Sequence, residues 1–486
     1  MCRPLGFAVA AVSTVALLAG CGSSSGPGGP SGPPVVTLVN GATTPSGTTG
    51  ETVVIQGSNF GSSQVVASGH VVFSTTAGGR DTAAILGAND WTNLLIVTTV
   101  PVGVPLGVDT MFVETTGGKS TAVIFTIVAK VAFSPSTVSW TSTTALPAGL
   151  SGHAVAAATL PGAPATSVVY VVGGADSTNA PRDSVLYATV SNTGTVGAWT
   201  RTTPLSVPIA FAAALVATPT NSPVTGNSYL YVLGGDSTAS GKPVATVYRG
   251  TLSAGGAVTG WTTTTALPVP LHSLGAIIFN GNVYIAGGSG AGNAPAATVY
   301  RAAIMSNGAL GAWQALTSLP FARSYFAFGV SGTFLYALGG DSATVTPNDS
   351  TLKGSVINDI VYAQIDVHTG NLTAAGWIAN TNKLKKGVAK HTAVVASGNF
   401  LITAGLYNGA TTGATEESYT TLNADGSTGS VNGATGANTI SAAGGGNVFN
   451  HAAVGYLDAT GAFHVLVVGG DDVNTPTKKH KGVFYF

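Results

Sequence analysis

From residue 35 onwards, short runs of Val, Ile, Ala, Leu and Tyr alternate with Gly, Pro, Asn, Thr and Ser, and no helical period is sustained. Apolar runs bounded by turn residues predict β-strands. No run after residue 20 reaches the roughly 20 apolar residues that a membrane helix needs. One stretch before residue 128 is specific. Gly50-Glu51-Thr52-Val53-Val54-Ile55-Gln56-Gly57-Ser58-Asn59-Phe60-Gly61 places Val53 and Ile55 on one strand face, turns at Gly57 and Gly61, and encloses a Phe60 expected to be buried.

After residue 128 the pattern repeats. Tryptophans stand at 140, 199, 261, 313 and 377, in steps of 59, 62, 52 and 64 residues. Four of them are approached through a Gly-containing turn, as in Asn307-Gly308-Ala309-Leu310-Gly311-Ala312-Trp313. Leu-Pro follows at Leu146-Pro147, Leu267-Pro268 and Leu319-Pro320, then an apolar strand. A second strand ends in Gly173-Gly174, Gly234-Gly235, Gly287-Gly288 or Gly339-Gly340, and a third carries Tyr187, Tyr248, Tyr300 or Tyr362. A degraded Ala404-Gly405 and then Gly469-Gly470 bring the count to six units, the last with a Gly-rich stretch from Asp425 to Gly446 where the others have tryptophan.

This order of parts resembles the kelch repeat, which implies one four-stranded blade of a β-propeller per unit. In such a unit the Gly pair lets an inner strand end in a tight turn, the Tyr shields the gap between blades, and the outer-strand Trp packs under its neighbour. Upstream, the Gly50–Gly61 stretch, Asp90-Trp91-Thr92-Asn93-Leu94-Leu95-Ile96-Val97-Thr98-Thr99-Val100-Pro101 and the later Gly107, Gly117 and Gly118 resemble the IPT/TIG immunoglobulin-like domain over about 90 residues. The expected fold is therefore all-β: an immunoglobulin-like β-sandwich over 35–128 followed by a six-bladed β-propeller over 129–486. The array opens on an outer strand and closes on Gly482-Val483-Phe484-Tyr485-Phe486, so Thr137 to Trp140 is expected to complete the last blade and remove its bare edge.

The N-terminus adds an address. Arg3, an apolar run from Leu5 to Leu18 and Leu18-Ala19-Gly20-Cys21 have the parts of a secretory signal over 1–20, and the last four residues resemble the bacterial lipobox. That resemblance implies lipidation of Cys21, with the Gly/Pro/Ser segment up to residue 34 as a tether, and a cell-envelope, exported location. Cleavage before Cys21 also removes Cys2, the other of the two cysteines, so no internal disulfide is expected.

Charge changes the picture by exclusion. Only 7% of the 486 residues are charged, 18 basic and 18 acidic, while mean hydropathy is +0.38. Nucleic-acid binding needs clustered Lys and Arg, and none is expected. Lys383-Lys385-Lys386-Lys390 and Lys478-Lys479-His480-Lys481 are the only basic concentrations, read as a solvated face.

Candidate chemistry centres on histidine. His153, His272, His391 and His451 sit near one repeat position at the start of the apolar strand, where other units have Ala210 and Ser324 beside Arg323. A ring of imidazoles and Arg323 could hold a ligand, a metal or an anion, whereas repetition at one position favours packing. Asp176, Asp236, Asp341 and Asp471 follow Gly pairs and suit turn capping. Glu416-Glu417 are adjacent and point opposite ways on an extended segment, which argues against an acid–base pair. Galactose-oxidase chemistry needs a cysteine that residues 129–486 lack, and there is no Gly-x-Ser-x-Gly elbow, phosphate loop or His-Glu-x-x-His. No catalytic residue, metal or cofactor is assigned. The expected role is binding of a protein or carbohydrate ligand through loops such as 218–228, 341–358 and 406–417, with a sugar epimerase, mutarotase or hydrolase as the alternative.

Overall fold

The computed structural model describes residues 29–486 apart from 40–44, 75–78, 86–89, 128–137, 161–165, 220–226, 240, 348, 350–351, 353–354, 397, 404, 408–416, 434–439, 441–447, 459–462, 473 and 476. The signal segment, Cys21, Thr137, Ala404 and Glu416 lie outside the described residues, as does part of each of the three candidate loops. What is described is all-β, in many separate sheets. Helical structure is limited to Gln64–Ala67 and a 3-10 turn at Ala291–Asn293.

Two sheets share the N-terminal core. Val35–Val39, Thr52–Ser58 and Leu95–Thr99 form one; Ser46–Gly47, Val123–Ile127, Gly107–Thr115, His70–Ser74 and Arg80–Thr82 form the other, with Gly118–Lys119 paired to Gly107–Thr115. Val53, Ile55 and Phe60 meet Phe73, Trp91, Met111 and Phe125 between them. The Trp91 indole donates to the Phe60 carbonyl at 2.8 Å, which fixes the turn that carries Phe60. A Cβ on Gly57 would stand 1.9 Å from the Val35 carbonyl oxygen, so the sequence has glycine there. Val54, on the opposite strand face, is buried as well, against Leu95, Val97 and Val367.

From residue 138 the chain builds six four-stranded antiparallel sheets. Their first strands are Ala154–Leu160, Ala213–Ala217, Gly275–Phe279, Ala327–Ser331, Thr392–Ala396 and Ala452–Leu457. In sheets 1 to 5 the strands pair in chain order. In sheet 6 the fourth strand is Thr141–Ser142, Thr141 opposite Tyr485 and Ser142 opposite Phe484. The closing strand thus directly follows the stretch around Trp140 that was expected to complete the last unit, and the Trp140 side chain is buried at the seam with sheet 5. The outer strand without tryptophan, Asn432–Gly433, belongs to sheet 5. The six first strands contact one another in a closed cycle, the first touching both the second and the sixth.

The second strands read as unbroken apolar runs because both of their faces are covered. In sheet 1, Val168, Tyr170 and Val172 pack towards Leu230 and Val232 of sheet 2, while Val169 and Val171 pack towards Leu466 and Val468 of sheet 6. Polar bonds then fix the spacing between sheets. Tyr170, Tyr231 and Tyr284 each donate a hydroxyl to a turn glycine of the next sheet, Gly256, Gly308 and Gly370, at 2.7 to 2.8 Å. The third-strand tyrosines pack in the same gaps, as Tyr187, Tyr300 and Tyr362 do, and Tyr187 and Tyr362 stack on Tyr170 and Tyr336 of the second strands. Trp199, Trp261, Trp313 and Trp377 donate to the carbonyls of Thr144, Thr203, Thr265 and Thr317 at 2.9 to 3.2 Å. Threonine pairs close the remaining gap: Thr143-Thr144, Thr202-Thr203 and Thr264-Thr265 bond both backbone groups of Val196, Val258 and Leu310. Tyr231→Phe is expected to destabilise by about 1 kcal/mol or slightly more, since it leaves the Gly308 carbonyl short of a donor. Urea unfolding of wild type and variant measures it, and an unchanged midpoint would refute the latch.

Candidate functional site

Each sheet enters its first strand through one residue in the left-handed region: Gly152, Phe211, Ser273, Tyr325, Lys390 and Asn450, with φ between 51° and 56°. Their amides form a closed circuit. Phe211 N–H donates to Gly152 C=O, Ser273 to Phe211, Tyr325 to Ser273, Lys390 to Tyr325, Asn450 to Lys390 and Gly152 back to Asn450, over 2.6 to 3.3 Å. Non-glycine residues with positive φ are strained and persist only where their surroundings fix them. Here the circuit itself fixes five.

The circuit divides the axis. On the side of the preceding residues, Ala210, Ala389 and Phe449 pack with Ala175, Phe211, Tyr325, Leu406 and the insertion residues Val345 and Leu352. The 341–358 loop, expected as part of a binding surface, thus buries Val345 and Leu352 as a plug. Lys390 pins it. Its ammonium donates to the carbonyls of Pro347 and Asp349 at 2.8 and 2.6 Å and lies 4.9 Å from the Tyr325 ring centroid. Burial lowers its pKa to about 8, opposed by the carboxylates of Asp471, Asp349 and Asp341. On the other side lies a cavity of about 240 Å³, lined by four consecutive residues from each sheet: 152–155, 211–214, 273–276, 325–328, 390–393 and 450–453.

The structure divides the histidines between two positions. His153, His391 and His451 follow their circuit residue, and their equivalents are Ala212, Leu274 and Phe326; His272 precedes Ser273 and corresponds to Ala210 and Ser324. The single repeat position read from the sequence is corrected accordingly: His272 stands two residues earlier in its sheet than His153, His391 and His451 do in theirs, and the circuit residue that defines the common register has no shared side chain. His272 is hydrogen-bonded, Nε2 to Asn293 Oδ1 at 2.9 Å and Nδ1 to Ser273 Oγ at 3.0 Å. His451 Nε2 lies 2.7 Å from Thr403 Oγ1. The rings of His153 and His391 are buried against Gly469 and Gly339 of the adjacent sheets, beside the backbone of Val468 and Leu338. Burial lowers all four pKa values, to about 4 for His153 and about 3 for His391 and His451. They are neutral packing groups at neutral pH.

Arg323 is fully buried and faces away from the cavity, bonding Asp359 through two nitrogens at 2.7 and 3.2 Å and the Gly339 carbonyl at 3.0 Å. Among the described residues no three His, Cys, Asp or Glu side chains converge on a metal position. Asp176, Asp236 and Asp341 accept from amides of their own turns, Thr178, Thr238 and Ala343, at 2.8 to 3.0 Å. Asp471 departs from that pattern: it pairs with Lys479 and accepts from Asn450 Nδ2 at 2.8 Å. Within the two basic clusters, Lys390 and Lys479 are thereby withdrawn from the solvated face. Glu417 is 1% exposed and takes the Trp140 indole and the Ile440 amide at 2.6 Å each.

Sequence reasoning missed the circuit residues, Lys390 and the threonine pairs. The pairs carried a signal, Thr-Thr before Ala-Leu or Pro-Leu; the circuit carried none, because Gly, Phe, Ser, Tyr, Lys and Asn share only a backbone conformation.

No family model matches the chain, and no curated protein matches its sequence. Among solved structures it is similar to one titled "Structure of YjhT", at 12% identity and a TM-score of 0.49, over 70% of this chain and 95% of that one.

Proposed function

We propose that this chain is an exported cell-envelope lipoprotein, anchored to a membrane through Cys21, in which an IPT/TIG-like sandwich carries a six-bladed kelch-like propeller that binds a protein or carbohydrate ligand. The observation carrying the propeller reading is the closed hydrogen-bond circuit from Gly152 through Asn450, which six sheets around one axis explain and a row of sheets does not. The sandwich reading is supported by one core shared between two sheets. The binding role is supported by an axial cavity with no converging acid, base or metal set among the described residues. The alternative, a sugar-converting enzyme, requires His, Arg and carboxylate groups meeting at the channel. Arg323 is sealed on Asp359, and the imidazoles of His153 and His391 lie between sheets.

A glycan array probed with the detergent-extracted full chain tests the binding role. Saturable capture of a glycan without chemical change to it is the expected result. Product formation would replace this reading with the enzyme, and absence of saturable capture would remove the carbohydrate arm.

A further inference from the structure

Successive side chains on a strand point to opposite faces, so a cavity lined by consecutive residues is walled by strand edges. The packing agrees: Val155 and Ala157 turn towards sheet 6, and Ala154 and Ala156 towards sheet 2. Each first strand is also the terminal strand of its sheet. Its second edge therefore has no ladder partner within its sheet and turns N–H and C=O groups of the cavity-lining residues to the axis from six directions. Such groups must be satisfied by water or by a ligand. The small side chains of Ala-Val-Ala-Ala-Ala-Thr-Leu, Ala-Ala-Leu-Val-Ala and Thr-Ala-Val-Val-Ala let the edges approach one another.

The same wall is uncharged. Lys390 is the one lining Lys, Arg, Asp or Glu, and its amino group is engaged by plug carbonyls on the far side of the circuit. The lining histidines are neutral at neutral pH. We propose that this blind cavity binds one small, uncharged solute of the polyol class, held by main-chain amides and carbonyls of the six strand edges. An ion entering here would lose its water with no opposite charge to replace it, and a hydrocarbon would strand the edge groups. A donor-and-acceptor solute satisfies them. A cavity of about 240 Å³ has room for well more than a single water molecule and so for a compact polyol.

This inference rests on the binding-protein reading, and hydrogen exchange separates the two. Mass-spectrometric exchange of the full chain is measured with xylitol and with its acid analogue xylonate. Exclusion of a polyol from protein surfaces slows exchange everywhere, so the N-terminal sheets are the internal reference. The expected result is saturable slowing, several-fold beyond that reference, confined to peptides covering the six first strands, with xylonate at least ten times weaker. Equal protection by xylonate, or uniform slowing with xylitol, overturns the site. Glycan capture without first-strand protection overturns the cavity site alone, and loss of both removes the carbohydrate arm of the binding reading with it.

Discussion

Lowering the pH from 7 towards 4 is expected to unfold the six-sheet array, with the buried imidazoles at the circuit as the cause. His153 is lowered to about 4, and His391 and His451 to about 3, all by burial. An unfolded histidine titrates near 6.5. A group depressed in the folded state contributes stability that is fully present above its unfolded value and is lost as pH falls. The loss therefore starts near 6.5 and runs down to between 3 and 4. At about 1.4 kcal/mol per pKa unit, three such groups cost on the order of 10 kcal/mol by pH 4. That matches the whole stability of an ordinary domain, roughly 5–15 kcal/mol. Glu417 acts oppositely. Burial raises its carboxyl from 4.5 to about 7, so its cost is full above about 7 and fades towards 4.5, returning roughly 3 kcal/mol. Three imidazoles outweigh one carboxyl. Urea unfolding at pH 8 and pH 4 should show His391→Leu and His153→Leu gaining on wild type only at the lower pH. An acid profile unchanged in the double variant would exonerate the imidazoles.

Trp140→Ala is expected to cost more than the same change at any repeat tryptophan of sheets 1 to 4. The Trp140 ring packs edge-on to Phe486 at 5.0 Å and fills the cluster of Val138, Val394, Ile440 and Phe484. Truncating a buried tryptophan costs about 3–5 kcal/mol. Here the change also removes a donor from a carboxylate that is 1% exposed, adding about 1–3 kcal/mol. Trp199 donates to the Thr144 carbonyl in an exposed setting, so Trp199→Ala leaves a group that water can reach. A difference of at least about 2 kcal/mol between the variants at pH 7.5, read from urea midpoints, is the expected outcome. Equal losses would mean that the seam between sheets 5 and 6 is no different from the others. Removing Val138 to Ser142 from the full chain should cost at least as much, because Tyr485 and Phe484 then become a bare edge.

The strand content and the repeat were legible because apolar period and glycine placement are local signals. Phe60 as a core residue and the chain-end pairing in sheet 6 followed from the same signals, the second with an offset past Trp140. What was not legible depends on conformation or on distant partners. Glu417 looked like half of an idle acidic pair in a Gly/Thr loop, and only the fold brings it to Trp140, 277 residues away. The threonine pairs hold adjacent sheets together, a role visible only once sheets some 50 residues apart in sequence are side by side. The histidines were found by type but misaligned, since the circuit residue that sets the common register is Gly, Phe, Ser, Tyr, Lys or Asn and has no shared side chain to align on.

The hydrogen-bond circuit has a kinetic consequence. Gly152 N–H is bonded to the Asn450 carbonyl, 298 residues further along the chain. No partial chain can make that bond, and the sheet-6 pairing of Thr141 with Tyr485 waits for the last residues as well. The average sequence separation of contacts is therefore high, and folding should be slow, with a late step in which both ends arrive together. Until then the edges of the first and last sheets stand open to other chains. The near-absence of charge along those strands leaves little to repel a neighbour, so the interval before closure is when this protein is most exposed to aggregation.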